Sequence, residues 1–70
     1  MWIVTEMGVG AIPRLERRGN VDAAKVLQSL LNGSKTLSEI EESTHLLKGD
    51  VLDALITLKE LEYVVQEKSG

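Results

Sequence analysis

Few side chains in this sequence have types and spacings suited to chemistry. His45 is the single histidine and cysteine is absent, so no soft ligand set for a metal can gather, and the imidazole reads as a capping or solvent residue in a turn. No nucleophile–base pair is visible, and one imidazole leaves little for proton transfer near neutral pH. Gly8-Val9-Gly10 lacks the following glycine and the Lys-Ser/Thr of a phosphate loop. These absences point to a binding protein: not an enzyme, with no cofactor and no metal site. Arg14, Arg17 and Arg18 form the densest positive cluster. It reads either as a phosphate-binding arm or as a solvated cluster paired with Glu16. Glu39, Glu41 and Glu42 read as the solvated face of a short helix.

The stretch Lys48 to Glu60, KGDVLDALITLKE, carries the other groups of interest. Asp50 and Asp53 repel phosphate, but they suit the start of a helix beginning near Val51, with Asp50 as N-cap and Asp53 as third residue. Such carboxylates also make that helix end a poor seat for phosphate. Leu52 and Ile56 stand four apart and face away from the core arc, with Lys59 on the same strip. They read as isolated exposed aliphatics or as the centre of a dimer or partner contact.

The elements that position these groups follow from periodicity. Trp2, Ile3 and Val4 suggest a strand over Met1 to Thr5. Glu6 to Gly19, interrupted by Gly8, Gly10, Pro13 and Gly19, reads as an irregular arm, with at most a helical turn at Arg14 to Arg18. From Asn20 to Gly33 the pattern is that of a helix, with Asn20 as the expected N-cap, Asp22 at the positive end of the dipole, Gly33 as a left-handed stop, and Ala23, Ala24, Leu27, Leu30 and Leu31 on the inner side. Thr36 and Leu37 suggest one strand rung. Ser38 then caps a brief helix, about Glu39 to Ser43, with Glu41 completing a capping box and Ile40 as the core contact. Thr44 to Gly49 is a turn, and Val51 to Leu61 a helix whose inner arc is Val51, Ala54, Leu55, Leu58 and Leu61. Tyr63 to Val65 is a strand, and Gln66 to Gly70 trails off polar. The arrangement is one domain over 1–70, an arm over 1–19 and a core over 20–67.

At 70 residues with 43% hydrophobic content and one Trp and one Tyr, the chain has an aliphatic core and modest stability of its own. No apolar run approaches the ~20 residues of a membrane span. The N-terminal stretch meets Glu6 too early for a signal peptide, so a soluble, cytoplasmic protein with no membrane association is expected. Net charge is −3, the wrong sign for a nucleic-acid binder. Residues 1–35 carry five basic groups against three acidic ones; residues 36–70 carry three against eight.

TLSEIEESTHLLKGDVLDALITLKELEYVV, residues 36–65, resembles the winged helix-turn-helix family, especially its MarR- and ArsR-like branches. Thr36, Leu37, Ser38, Glu39 and Ile40 match the family's T-L-S-E-L-A-E stretch. Leu55, Leu58, Leu61 and Val64 match its L-x-x-L-x-x-x-G-L-V ending. With the preceding helix included, the resemblance spans about residues 20–67. It implies an α+β fold, a minimal winged helix-turn-helix of three helices with a small two- or three-stranded antiparallel sheet. Three departures stand out, the acidic and apolar outward face of the third helix being one. Glu62 occupies the family's glycine position, so another turn geometry is expected there, and only one strand follows the last helix. The expected remedy is Trp2 to Thr5 pairing with Tyr63 to Glu67, within the chain or across a dimer.

Carried over by position, the family's DNA-facing residues are Thr44, His45, Lys48, Gly49, Asp50, Leu52, Asp53 and Ile56. Lys48 suits phosphate, and Thr44 and His45 can donate to phosphate or base edges. The resemblance therefore implies a small transcriptional regulator on duplex DNA, probing with Lys35, Thr44, His45 and Lys48, with Arg14, Arg17 and Arg18 as accessory clamp. It would act as a homodimer, because so acidic a module binds weakly alone. The other expectation is a protein-interaction module that docks a partner through Leu52 and Ile56. Trp2 joins these two as a partner or dimer residue.

Overall fold

The computed structural model describes residues 1–67; of the expected polar trail, 68–70 lie outside the described residues. The chain builds β1 (Trp2–Val4), α1 (Glu6–Arg17), α2 (Val21–Leu30), α3 (Leu37–Thr44), α4 (Lys48–Glu60) and β2 (Val64–Gln66). The class is α+β, with four helices in place of the expected three and a two-stranded antiparallel sheet.

The strand pairing is made within the chain. Trp2 lies opposite Gln66, Ile3 opposite Val65 and Val4 opposite Val64. Beyond the ladder, the Met1 ammonium donates to the Glu67 carbonyl at 2.7 Å and the Glu67 amide donates to the Met1 carbonyl at 2.7 Å. The other edge of β1 is used as well: Trp2 and Lys35 exchange backbone bonds of 2.8 and 3.1 Å. The expected rung at Thr36 and Leu37 therefore falls one residue earlier, on Lys35. Alternation sets the faces. Trp2, Val4 and Val64 pack on the core, while Val65 is exposed on the outer face.

The arm expected over residues 6–19 is a helix. Its start is specified by Thr5, whose Oγ1 accepts from the Gly8 amide at 3.1 Å, and by Glu6 in the positive first turn. Gly8, Ala11, Ile12 and Leu15 recur at helical spacing and are buried. The residues read as breakers have other roles. A Cβ on Gly8 would run into the Tyr63 carbonyl oxygen and lie 2.9 Å from Val4 Cγ2, so glycine is what lets α1 press against the sheet. Pro13 is exposed and withholds one amide, the donor toward Val9. Gly19, at φ +83°, lies past the end. There the Asn20 amide returns to Leu15 at 2.9 Å and the Gly19 amide to Glu16 at 3.1 Å, a Schellman closure.

α2 touches α1, α3, α4 and β1 and is the axle of the core. That position explains one departure. Val26 is fully buried although it lies off the expected inner arc, because α2 is covered on two sides. Leu31, the C-cap residue, is exposed. Asn20 opens α2 with no side-chain cap, its carbonyl alone accepting from Ala24 at 3.1 Å.

α3 is longer than expected because Thr36, not Ser38, is its cap. The Glu39 amide donates to Thr36 Oγ1 at 3.3 Å and the Thr36 amide to Glu39 Oε1 at 2.9 Å, which completes the capping box. These bonds, aided by Lys35, hold the Glu39 carboxyl below its ordinary value. α4 likewise starts earlier, at Lys48, and buries Val51, Ala54, Leu55 and Leu58. Leu61, expected inside, is exposed because it already belongs to the closing turn. Glu62 does not force another geometry. It adopts the left-handed conformation itself, φ +64°. Tyr63 bonds back to Leu58 at 2.9 Å and Glu62 to Lys59 at 3.0 Å, a second Schellman closure. The cost to a side-chain-bearing residue is roughly 1–2 kcal/mol. It is offset where Thr5 fastens the turn, its hydroxyl donating to the Glu62 carbonyl at 2.8 Å and its amide to the Tyr63 carbonyl at 2.9 Å.

Two glycines of one helix should therefore respond in opposite ways. Gly8→Ala should destabilise by at least about 1–3 kcal/mol, the scale of overpacking against atoms that cannot yield. Gly10→Ala, with nothing within 4 Å of its Cβ, should stabilise by about 0.5–1 kcal/mol; urea unfolding of both variants reads the difference. The capping box sets a pH dependence. Because the folded Glu39 pKa is depressed, its stabilisation is present above the unfolded value of ~4.3 and is lost as pH falls through the folded one. Glu39→Gln should flatten the stability-versus-pH curve on that acid side, measured by thermal melts.

Candidate interaction surface on α4

α3 passes into α4 through His45, Leu46 and Leu47. His45 ends α3 in the left-handed conformation, φ 60°, its amide returning to Glu41 at 2.9 Å. The Thr44 hydroxyl donates to the Ile40 carbonyl at 2.8 Å and accepts from the Leu46 amide at 3.3 Å. Thr44 is buried, and its hydroxyl ties the turn. Leu46 packs on the core, whereas Leu47 is 76% exposed.

Leu47 occupies the N-cap position of α4 and offers no side-chain acceptor. Lys48, Gly49 and Asp50 are the first three helical residues. Asp50 is thus not the cap but the third residue, with its charge beside the helix dipole, and Asp53 stands a turn further on. The two carboxylates line an open groove with Asp22 at the start of α2, Thr57 and Leu61. One flank of α4 is therefore acidic.

Its outward line is apolar. Gly49, Leu52, Ile56 and Lys59 follow at spacings that share one helix face; Leu52 is 37% and Ile56 56% exposed. Lys48 borders this line on the side away from Asp53 and Glu60. At the far end, Lys59 shares a shallow hollow with Met7 of α1 and Val65 of β2, both exposed. The apolar surface so continues from α4 onto the outer sheet. Met7 and Leu47 were not singled out from sequence. An apolar pair in a turn, Leu46-Leu47, was a signal that one of the two faces solvent.

The groups expected to contact DNA are dispersed. His45 borders a polar recess with Lys25, Gln28, Ser29, Ser43 and Thr44, and Lys48 opens α4 three residues on. Lys35 is half-buried on the sheet rung at the opposite end of α3. Arg14 and Arg17 sit in the last turn of α1, where cations complement the dipole, and Arg18 caps that helix. Glu16, expected to pair with the arginines, accepts a hydrogen bond from Gln28 at 3.3 Å. Trp2, expected at a partner contact, packs its side chain against the core. Among the described residues no group of three or more His, Asp or Glu is placed to hold a metal, and no helix is long and apolar enough to cross a membrane. No protein-family model, curated protein or solved structure matches the chain.

The placement of Thr44 has a direct consequence. Thr44→Val should lower stability by about 1–3 kcal/mol through the unpaired Leu46 amide, seen as an earlier urea midpoint with unchanged slope.

Proposed function

We propose that this chain is a winged-helix interaction module, in which α4 docks a protein through its outward face and does not read nucleic acid. The order α2, sheet rung, α3, turn, α4, β2 supports the winged-helix reading. β1 stands where the second wing strand of that family would pair. One observation carries the functional half: the line of α4 that would enter a groove presents Leu52 and Ile56, with carboxylates along one flank. Apolar contacts of this kind release water from a protein partner, whereas on DNA they meet phosphates that acids repel.

The second reading is a dimeric DNA-binding transcriptional regulator. It is favoured by the first turn of α4, which has no side-chain cap and opens with Lys48. Lys35, His45 and the Arg14, Arg17 and Arg18 cluster would then add phosphate contacts from separate elements, and only a dimer would gather enough of them.

Salt separates the two. Fluorescence anisotropy with labelled random duplex DNA at about 50 mM salt should show no saturable binding at micromolar protein. Binding that appears there and falls steeply toward about 200 mM salt would overturn the docking reading in favour of the regulator.

A further inference from the structure

The charges beside the outward face of α4 favour one orientation of self-pairing. Gly49, Leu52, Ile56 and Lys59 are spaced three, four and three residues apart, the pattern of a short two-stranded helix seam. Lys48 lies just before this seam on one side; Asp53 and Glu60 lie along the other. Leu55, the next residue on the Lys48 side, is fully buried in the protein's own core, so Lys48 is the free group there.

In a parallel pair of such helices, a residue on the leading flank meets the trailing flank of its neighbour five residues further on. That relation takes Lys48 to Asp53 of a second copy, twice per dimer by symmetry. Lys59 then packs in the hole bordered by Glu60 of the second copy. In an antiparallel pair, like flanks meet. Asp53 and Glu60 would face the same acids, and Lys48 would lie opposite Glu62, a residue already past the end of α4.

Resting on the reading of α4 as a docking face, we propose that its occupant is a second copy of this chain, paired in parallel about a two-fold axis along α4. Leu52 and Ile56 form the seam, and Lys48 with Asp53 sets the orientation. Met7 and Val65, beside Lys59, extend the apolar margin. A seam of this size makes a weak, reversible dimer, so its concentration dependence is the observable.

Sedimentation equilibrium of the full chain from micromolar to millimolar concentration tests this. The wild-type weight-average mass should climb toward twice the monomer mass. Ile56→Glu should remain monomeric, with a thermal melt showing the fold retained. Lys48→Asp and Asp53→Lys should each weaken association by about tenfold, two exposed ion pairs being lost per dimer. Mixing these two variants, or combining them in one chain, should restore the wild-type curve. Stronger association of Lys48→Asp would overturn the parallel arrangement, and so would failure of the double variant to recover. A wild-type chain that stays monomeric throughout would overturn the second copy as occupant while leaving α4 a docking face for a different protein. Only the salt-dependent DNA binding described above removes the docking face itself.

Discussion

Thr5 is the point on which the geometry of this small domain turns. Its amide ends the sheet by bonding to Tyr63, its hydroxyl donates to Glu62, and the same oxygen caps α1 by accepting from Gly8. One residue therefore joins the first strand, the first helix and the turn that closes α4. Gly8 completes the junction by having no side chain at the place where the Tyr63 carbonyl approaches. Without this junction β2 would be a lone strand with unpaired backbone groups on both edges, an arrangement that invites association rather than folding. With it, β1 is satisfied by β2 on one side and by Lys35 on the other. α1 is then delivered against α2.

The parts of this fold that were legible in sequence are those written in local periodicity. Leu27 and Leu30 of α2, and Val51, Ala54, Leu55 and Leu58 of α4, recur at helical spacing and are buried. The pairing of the two terminal strands was legible in part: the winged-helix resemblance called for a second strand and Trp2 to Thr5 could supply it, but the choice between pairing within the chain and across a dimer rests on contacts distant in sequence. What escaped depends on contacts distant in sequence. Gly8 looks like a breaker until Tyr63, far along the chain, is placed against it. Val26 looks half-exposed until α2 is found covered on two sides. Cap positions shifted for a related reason. Thr36 and Ser38 are both competent caps, and the choice fell to Thr36 because Lys35 is already held by Trp2. The helix therefore begins where the sheet rung ends.

The candidate surface was legible only in part. Helical spacing was enough to place Leu52 and Ile56 outward, and their exposure follows from the four inner residues of the same helix. The roles of Thr44 and Asp50 were not, because each depends on where a helix ends or begins. Ending α3 at Thr44 turns its hydroxyl inward to Ile40; beginning α4 at Lys48 moves Asp50 from the cap into the first turn. A shift of a few residues in an element boundary is small for the fold and decisive for a polar group, whose meaning changes with the backbone amide it faces.

That sensitivity also bears on the N-terminus of α4. A reading helix must offer donors along its outward line and keep its N-terminus open to phosphate. Here the N-terminus has no side-chain cap, but Asp50 stands within its first turn and Asp53 and Asp22 line the groove beside it. The same carboxylates that neutralise the helix dipole also repel phosphate, so local stability and DNA affinity pull in opposite directions at this end. Along the outward line no polar group competes with Leu52 and Ile56, and the nearest cations, Lys48 and Lys59, stand at its two ends. A strip of apolar atoms closed by cations and flanked by acids is matched by a surface with the reverse arrangement. The flank opposite Lys48 already carries it, in Asp53 and Glu60.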